Sequence, residues 1–284
     1  MSIVVTGATG HLGRHVVEQL LEKVPAEQVT AVVRSAGKAA DLAARGVRIA
    51  VADYDAPETF DGLFAAGDKV LLISGNEVGR DRVGQHRVVI DAAKAAGVAL
   101  LAYTSAPGSL TAALADDHRA TEEVLLASGL PYVLLRNGWY HENYTENLAP
   151  VLEHHAVLAA AGEGRVSSAS RADYAAAAVA VLTGEGHENR TYELGGDGAW
   201  SFAEYAAELS RQTGEEIVYN PVTPEALTGI MTGAGVPEPA AAAFAGADVS
   251  IGRGELVVDS GDLSRLAGRP TTPLAEAVAA ALKG

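Results

Sequence analysis

The run Ile3-Val4-Val5, then Thr6-Gly7-Ala8-Thr9-Gly10-His11-Leu12-Gly13, then Val16-Val17-Glu18-Gln19-Leu20-Leu21, restricts the possible folds of this chain more than any other stretch. It reads as a buried strand, a glycine turn and an amphipathic helix. Gly7 lets the strand end turn tightly, Gly10 lets backbone N–H groups come against a pyrophosphate with no Cβ between them, and Gly13 lets the helix lie close on the strand. A pyrophosphate placed there meets the unpaired N–H groups and the positive end of the helix dipole. The bland alternative is a structural turn with no nucleotide. The place of the triplet, at the mouth of the first strand of a strand-helix alternation, favours the nucleotide.

With 284 residues, 48% of them hydrophobic, the chain can bury a sizeable core as one large domain or as a domain plus a lobe. It has no Cys, which excludes disulfides, thiolate metal sites, iron–sulfur clusters and cysteine nucleophiles. The net charge of −15, with no Lys/Arg cluster to offset it, argues against a nucleic-acid partner. No basic leader precedes the first strand and no apolar run approaches the ~18 residues of a membrane span. The expectation is a soluble, cytoplasmic protein with no membrane partner.

Further strands are expected at 28–33, 46–51, 69–73, 98–104 and 132–135, with helices at 80–96 and about 116–128 between them. Six strands alternating with helices imply a parallel sheet with right-handed crossovers. The second strand ends at Arg34, where the adenosine ribose would lie, with Lys38 a helical turn further on. An acid there would favour NAD; two cations suit a 2′-phosphate and favour NADPH, with NADH as the alternative. A solvated Arg34 with no ligand is the competing reading. Asp53 follows the third strand and would accept from the adenine amine, or simply stabilise a turn. Ser74-Gly75-Asn76 follow the fourth strand, at the sheet end where ligands bind in open parallel sheets.

Past Arg136 the character changes. Asn137-Gly138-Trp139-Tyr140 leaves the sheet carrying an amide and two aromatics, and Glu142, Asn143 and Tyr144 come next. A helix from about 171 to 182, a strand at 191–194, a helix from about 202 to 213 and a closing helix at 273–282 complete the pattern. The organisation expected is a Rossmann core over 1–140 and a smaller C-terminal substrate lobe over 141–284, some of whose segments return to the core.

Short-chain reductases that act on ketones carry Tyr followed four residues later by Lys. Here Lys occurs at 23, 38, 69, 94 and 283, and Gln19, Arg34, Ala65, Ile90 and Ala279 stand four places before them, so the pair is missing. Hydride delivery to a ketone makes an alkoxide that needs an acid beside it. Delivery to a quinone makes a phenolate whose conjugate acid has a pKa of about 10. Acceptors that need little acid are therefore favoured: quinones or cationic conjugated dyes. His118 is a candidate for a modest acid because an unperturbed imidazole titrates near neutrality, and a helix-surface His without chemistry is the alternative. Tyr140 would stack on or hydrogen-bond to a quinone, or else pack in the lobe. Ser105, at the end of the fifth strand, is a weaker candidate. The adjacent His154-His155 pair has no third ligand in sight, so no metal site is expected.

Beyond these residues there is a resemblance. The TGxxGxxG turn is similar to that of extended and atypical short-chain dehydrogenase/reductases. TGATGHLG, AVVR ending at Arg34, LLISGNEVG at 71–79, QHRVVIDAAKAAGV at 85–98, AYTS at 102–105, LLRNGWYHENY at 134–144, SRADYAAAA at 170–178 and the closing PTTPLAEAV together resemble flavin-free, NADPH-dependent quinone oxidoreductases of the NmrA-like atypical short-chain group, and triphenylmethane dye reductases. The resemblance implies NADPH held by Gly7, Thr9, Gly10, His11, Leu12 and Arg34, by the Ser74–Gly75 loop, by the segment that contains Asn137, Gly138, Tyr140 and Asn143, and by Arg171. It implies hydride transfer to a quinone in a cleft between core and lobe, without flavin or metal, and allows a homodimer. Pro107–Asp116 departs from the pattern and leaves the substrate open. Two alternatives accompany this reading: a tailoring enzyme, reductase or cofactor-assisted monooxygenase, for a polycyclic aromatic quinone, and a non-catalytic NAD(P) sensor.

Overall fold

Three-residue β1 (Ile3–Val5) is an interior strand of a seven-stranded sheet. Its neighbours are β2 (Val29–Val33) and β4 (Lys69–Leu72), both parallel to it, with Ile3 opposite Val29 on one side and Lys69 on the other. Beyond them lie β3 (Arg48–Val51), β5 (Leu100–Ser105), β6 (Tyr132–Asn137) and β9 (Arg190–Leu194), in the order β3-β2-β1-β4-β5-β6-β9. The strand order reverses between β1 and β4, so their carboxyl ends open a crevice of the kind in which doubly wound α/β sheets bind ligands. This computed structural model describes residues 2–75, 77 and 79–283. Asn76, one of the expected groove residues, lies outside them.

The chain forms two compact units. The first comprises residues 1–106, 117–137 and 171–192, and the second comprises 107–116, 138–170 and 193–284. In the first unit, α1 (His11–Leu20) and the alanine-rich α7 (Arg171–Thr183) pack together over one face of the sheet. Small side chains at Ala175, Ala177 and Ala178 bring α7 close, and all three are buried. Short α2 (Ala40–Ala44) follows β2. The opposite face packs Val4, Val70, Leu72, Leu101 and Tyr103 against Val89, Ile90 and Ala93 of α3 (Arg82–Ala96) and Leu125 of α4 (Asp116–Ser128). Asp81 caps α3 by accepting from the Gly84 amide at 2.8 Å, and Gly97 closes it at φ 66°.

The second unit holds α5 (Glu142–Thr145), α6 (Ala149–His154), β7 (Ala156–Ala159), β8 (Arg165–Val166), β10 (Trp200–Ser201) and β11 (Val218–Pro221). It also holds α8 (Phe202–Thr213), α9 (Pro224–Gly233), α10 (Glu238–Gly252), α11 (Asp262–Ala267) and α12 (Leu274–Ala281). Two small sheets, antiparallel β8/β10 and parallel β7/β11, are joined by an aromatic cluster. There Tyr144 meets Trp200 and Phe202 edge-on at 5.2 and 5.3 Å. Ser201 and Glu204 form a reciprocal capping box on α8, which holds the Glu204 carboxyl below the usual range. The sixth strand runs two residues beyond the expected 132–135, to Asn137, and the strand expected at 191–194 adds a seventh to the sheet. Among the described residues no helix is long and apolar enough to cross a membrane.

Candidate nucleotide site

The glycine turn has the geometry its spacing predicts. Gly7 sits at φ +59°, and the Gly10 amide folds back onto the Gly7 carbonyl at 2.9 Å. A Cβ on Gly13 would stand 2.2 Å from the Gly7 carbonyl oxygen and 2.8 Å from Ala8 Cα, so only glycine lets α1 come this close to the strand end. Helix α1 starts at His11 with Gly10 as its cap, no side-chain cap and no acidic residue in the first turn. Nothing of its own sequence screens that positive end. Leu12 is buried beneath the turn, Thr9 is half-buried and His11 is exposed.

Across the crevice the chain leaves β4, and three successive backbone amides are taken by side chains from three different elements. Ile73 N–H donates to Thr6 Oγ1 at 3.1 Å, Ser74 N–H to Thr104 Oγ1 at 2.9 Å and Gly75 N–H to His86 Nε2 at 2.9 Å. Thr6 is bonded to the Tyr54 hydroxyl, which donates to the Ile73 carbonyl at 2.9 Å. These bonds replace the sheet ladder where it stops and define the path of the Ser74–Gly75 turn. A Cβ at Gly75 would come 3.2 Å from Gln85 Oε1.

Two sequence candidates lie beneath this turn. His118 is buried, with Nδ1 2.9 Å from the Tyr103 hydroxyl and Nε2 3.0 Å from an Arg82 nitrogen. Burial, then the charges of Arg82 and His86, push its pKa down to about 3. This corrects the expectation of an imidazole titrating near neutrality: His118 is a neutral core group, because its helix face packs on Tyr103 and a cation already occupies its ring nitrogen. Ser105, also buried, donates to Glu122 Oε1 at 2.6 Å, and Arg136 holds the same carboxylate through two nitrogens at 2.9 and 2.7 Å. Its hydroxyl proton is thereby committed to a carboxylate.

On the adenosine side, Arg34 and Lys38 are exposed. Arg34 meets Glu77 at 3.3 Å, with the two side chains 73% and 51% exposed, a pairing weak enough for the guanidinium to change partners. Arg14 of α1 reaches the same surface, pairing with Asp41 and donating to the Lys38 carbonyl at 3.0 Å. Asp53 Oδ1 accepts from the Asp55 amide at 3.1 Å, which is the turn-stabilising arrangement. Asn137, at the end of β6, is buried, and its Oδ1 has no hydrogen-bond partner among the described residues. Arg171 opens α7, whose Ala172 carbonyl accepts from Gln19 of α1 at 2.9 Å.

In the second unit, Gly138 N–H donates to the Leu194 carbonyl at 2.8 Å and Asn143 N–H to the Tyr140 carbonyl at 3.2 Å. Tyr140 is half-buried and bridges to Ala169, while Trp139 meets Phe244 edge-on at 6.5 Å. The divergent segment 107–116 is tied to Glu255, which accepts from the Thr111 hydroxyl at 2.6 Å and its amide at 3.0 Å. Those two bonds hold the Glu255 carboxyl below its usual range. Among the described residues no group of three or more His, Asp or Glu side chains could hold a metal ion.

Sequence reasoning passed over Tyr54, His86, Glu122 and Arg136. The available signal was polar residues at helix positions otherwise expected to face the sheet, His86 beside Val89 and Ile90 in α3 and Glu122 beside Leu125 in α4.

Residues 7–185 match the family model described as NAD(P)H-binding. The chain is 46% identical to quinone oxidoreductase 2 of Escherichia coli over 278 residues, 97% of either chain. It superposes on the structure of an Escherichia coli NADPH-dependent quinone oxidoreductase complexed with NADPH with a TM-score of 0.95, covering 99% of each chain at 46% identity. The triphenylmethane reductase of Citrobacter sp. complexed with NADP(H) gives 0.94, covering 99% of this chain and 100% of that one at 41% identity.

Proposed function

The chain belongs to the NAD(P)H-binding family, and from that premise we propose that it is an NADPH-dependent oxidoreductase that reduces quinones or similar conjugated aromatic acceptors. The observation that carries the reading is the turn at the β1/β4 crevice, where an uncapped, acid-free helix start stands above a Gly13 that admits no Cβ. This cradle fits a pyrophosphate. When bound, the reduced nicotinamide supplies the hydride.

The residues divide the binding among themselves. Gly7, Thr9, Gly10, His11 and Leu12 take the pyrophosphate on backbone N–H groups, and Arg34 with Lys38 takes the 2′-phosphate, which sets NADPH above NADH. Ser74 and Gly75 line the middle of the crevice. The orphaned Oδ1 of Asn137 is an acceptor suited to a carboxamide N–H, the donor that a nicotinamide offers. Gly138, Asn143 and Arg171 complete the cofactor contacts, and Tyr140 meets the flat acceptor.

The substrate class follows from what these side chains cannot supply. No Tyr-x-x-x-Lys pair exists, His118 is held neutral and Ser105 is bonded to Glu122. An acceptor whose reduced form is only weakly basic suits such a site. The test is to mix protein, NADPH and a benzoquinone under anaerobic conditions and follow the reduced-nicotinamide absorbance, with cyclohexanone as the ketone control. Quinone-dependent NADPH loss with no turnover of the ketone is expected. NADPH binding without turnover of any quinone would establish the sensor reading instead, and oxygen uptake with an anthraquinone would indicate the monooxygenase.

A further inference from the structure

We propose that His86 is a positioning residue for the dinucleotide: its bare Nε2 anchors the Gly75 amide, and a buried chain through Arg82, His118, Tyr103 and Thr121 admits only the imidazole tautomer that can do this. The inference rests on the reading that the Ser74–Gly75 turn lines the cofactor site.

The proton positions follow from which groups can only donate. At one end a guanidinium has no acceptor atom, so His118 Nε2, 3.0 Å from Arg82, is bare and its proton sits on Nδ1. That proton goes to the Tyr103 hydroxyl at 2.9 Å, whose oxygen also lies 3.5 Å from His86 Nδ1, and the phenol in turn bonds to Thr121. At the other end a backbone N–H can only donate, so His86 Nε2, 2.9 Å from Gly75 N, is also bare. The His86 proton therefore sits on Nδ1 and goes to Thr121 Oγ1 at 2.9 Å. Thr121 accepts from both branches and passes its own proton to the Asp117 carbonyl at 2.7 Å. Both rings find acceptors for their protons, Arg82 Nε being the one donor of the group left without a partner among the described residues, and neither ring has room for a second proton.

The alternative tautomer of His86 would aim an N–H at the N–H of Gly75 and release the turn. His86, Thr121 and Tyr103 are all fully buried, so water offers no substitute partner. Burial and the Arg82 charge, which push the His86 pKa down to about 3, keep the ring neutral through the physiological range.

The experiment compares wild type with His86→Phe, which keeps a ring but offers no acceptor, and His86→Gln, whose amide oxygen reaches the position of Nε2. The expected result is a roughly tenfold rise in the Kd and KM for NADPH in H86F with kcat changed less than twofold, and recovery of most of the affinity in H86Q. Imidazole nitrogen NMR of the unliganded wild type is expected to show Nδ1–H tautomers at both His86 and His118, unchanged between pH 7.5 and 5.5. This second measurement needs no variant to fold and no cofactor to bind. An Nε2–H tautomer at His86, unaltered NADPH affinity in H86F, or equal defects in H86F and H86Q would each overturn the proposal. A wild type with the expected tautomers that binds no NADPH would instead sink the proposed function, and with it the ligand assigned to this turn.

Discussion

Acid should destabilise this protein well above the carboxylate range through two buried histidines. Asp248, raised to about 6 by burial and so protonated in the folded protein first, offsets that loss in part. His86 is fully buried and His118 nearly so, and both have their pKa pushed down to about 3, first by burial and then by the Arg82 charge. An unfolded chain binds a proton at each of them with a pKa of about 6.5. A histidine held neutral in the fold contributes stability that is present in full above the unfolded value. It is lost as the pH falls below 6.5 toward 3, because only the unfolded chain takes up the proton. Integrated from pH 7 to pH 5, each site costs about 2 kcal/mol, so the pair costs about 4 kcal/mol, a large part of the ~5–15 kcal/mol that holds a typical domain together.

Urea unfolding at pH 7, 6 and 5 on wild type and His118→Gln measures this. The variant is expected to be less stable at pH 7, because Arg82 and Tyr103 lose a ring partner. It is also expected to lose only about 2 kcal/mol over the same interval, since one titrating site is gone. The carboxyls held low, Glu208 at about 2 among them, are common to both proteins and drop out of the difference. Parallel pH dependences for the two proteins would refute the claim that His118 is a buried neutral group.

Three further outcomes are expected. Gly13→Ala places a Cβ 2.2 Å from the Gly7 carbonyl oxygen, and since the obstacle is backbone the turn must open. A loss of about 3 kcal/mol, read as a fall in Tm of ~5–10 °C, should accompany loss of NADPH binding by nicotinamide fluorescence, whereas an unchanged Tm would mean that the close approach is not needed. Glu122→Leu removes the buried carboxylate that accepts from the Ser105 hydroxyl and from Arg136, and should cost about 2 kcal/mol in urea titrations, a cost below about 0.5 kcal/mol being the contrary result. Arg34→Ala should weaken NADPH binding about tenfold and leave NADH within twofold, because only NADPH carries the 2′-phosphate; equal losses for both would remove Arg34 from that role.

Sequence alone determined the strand-turn-helix at the amino terminus, the parallel alternation and the boundaries of helices such as Asp116–Ser128 and Phe202–Thr213. These are local: a glycine spacing, an apolar period or a cap acts over a few residues and is written in them. What the tertiary structure decided depends on residues far apart in the chain. The return of residues 171–192 to the first unit and the passage of 107–116 into the second are set by packing that no single segment encodes. His118 shows the same divide within one side chain. Flanked by Asp116, Asp117, Arg119 and Glu122, it reads as part of a solvated helix face. Its place against Tyr103 and Arg82 makes it a neutral core group, because a pKa answers to whatever surrounds the ring in space.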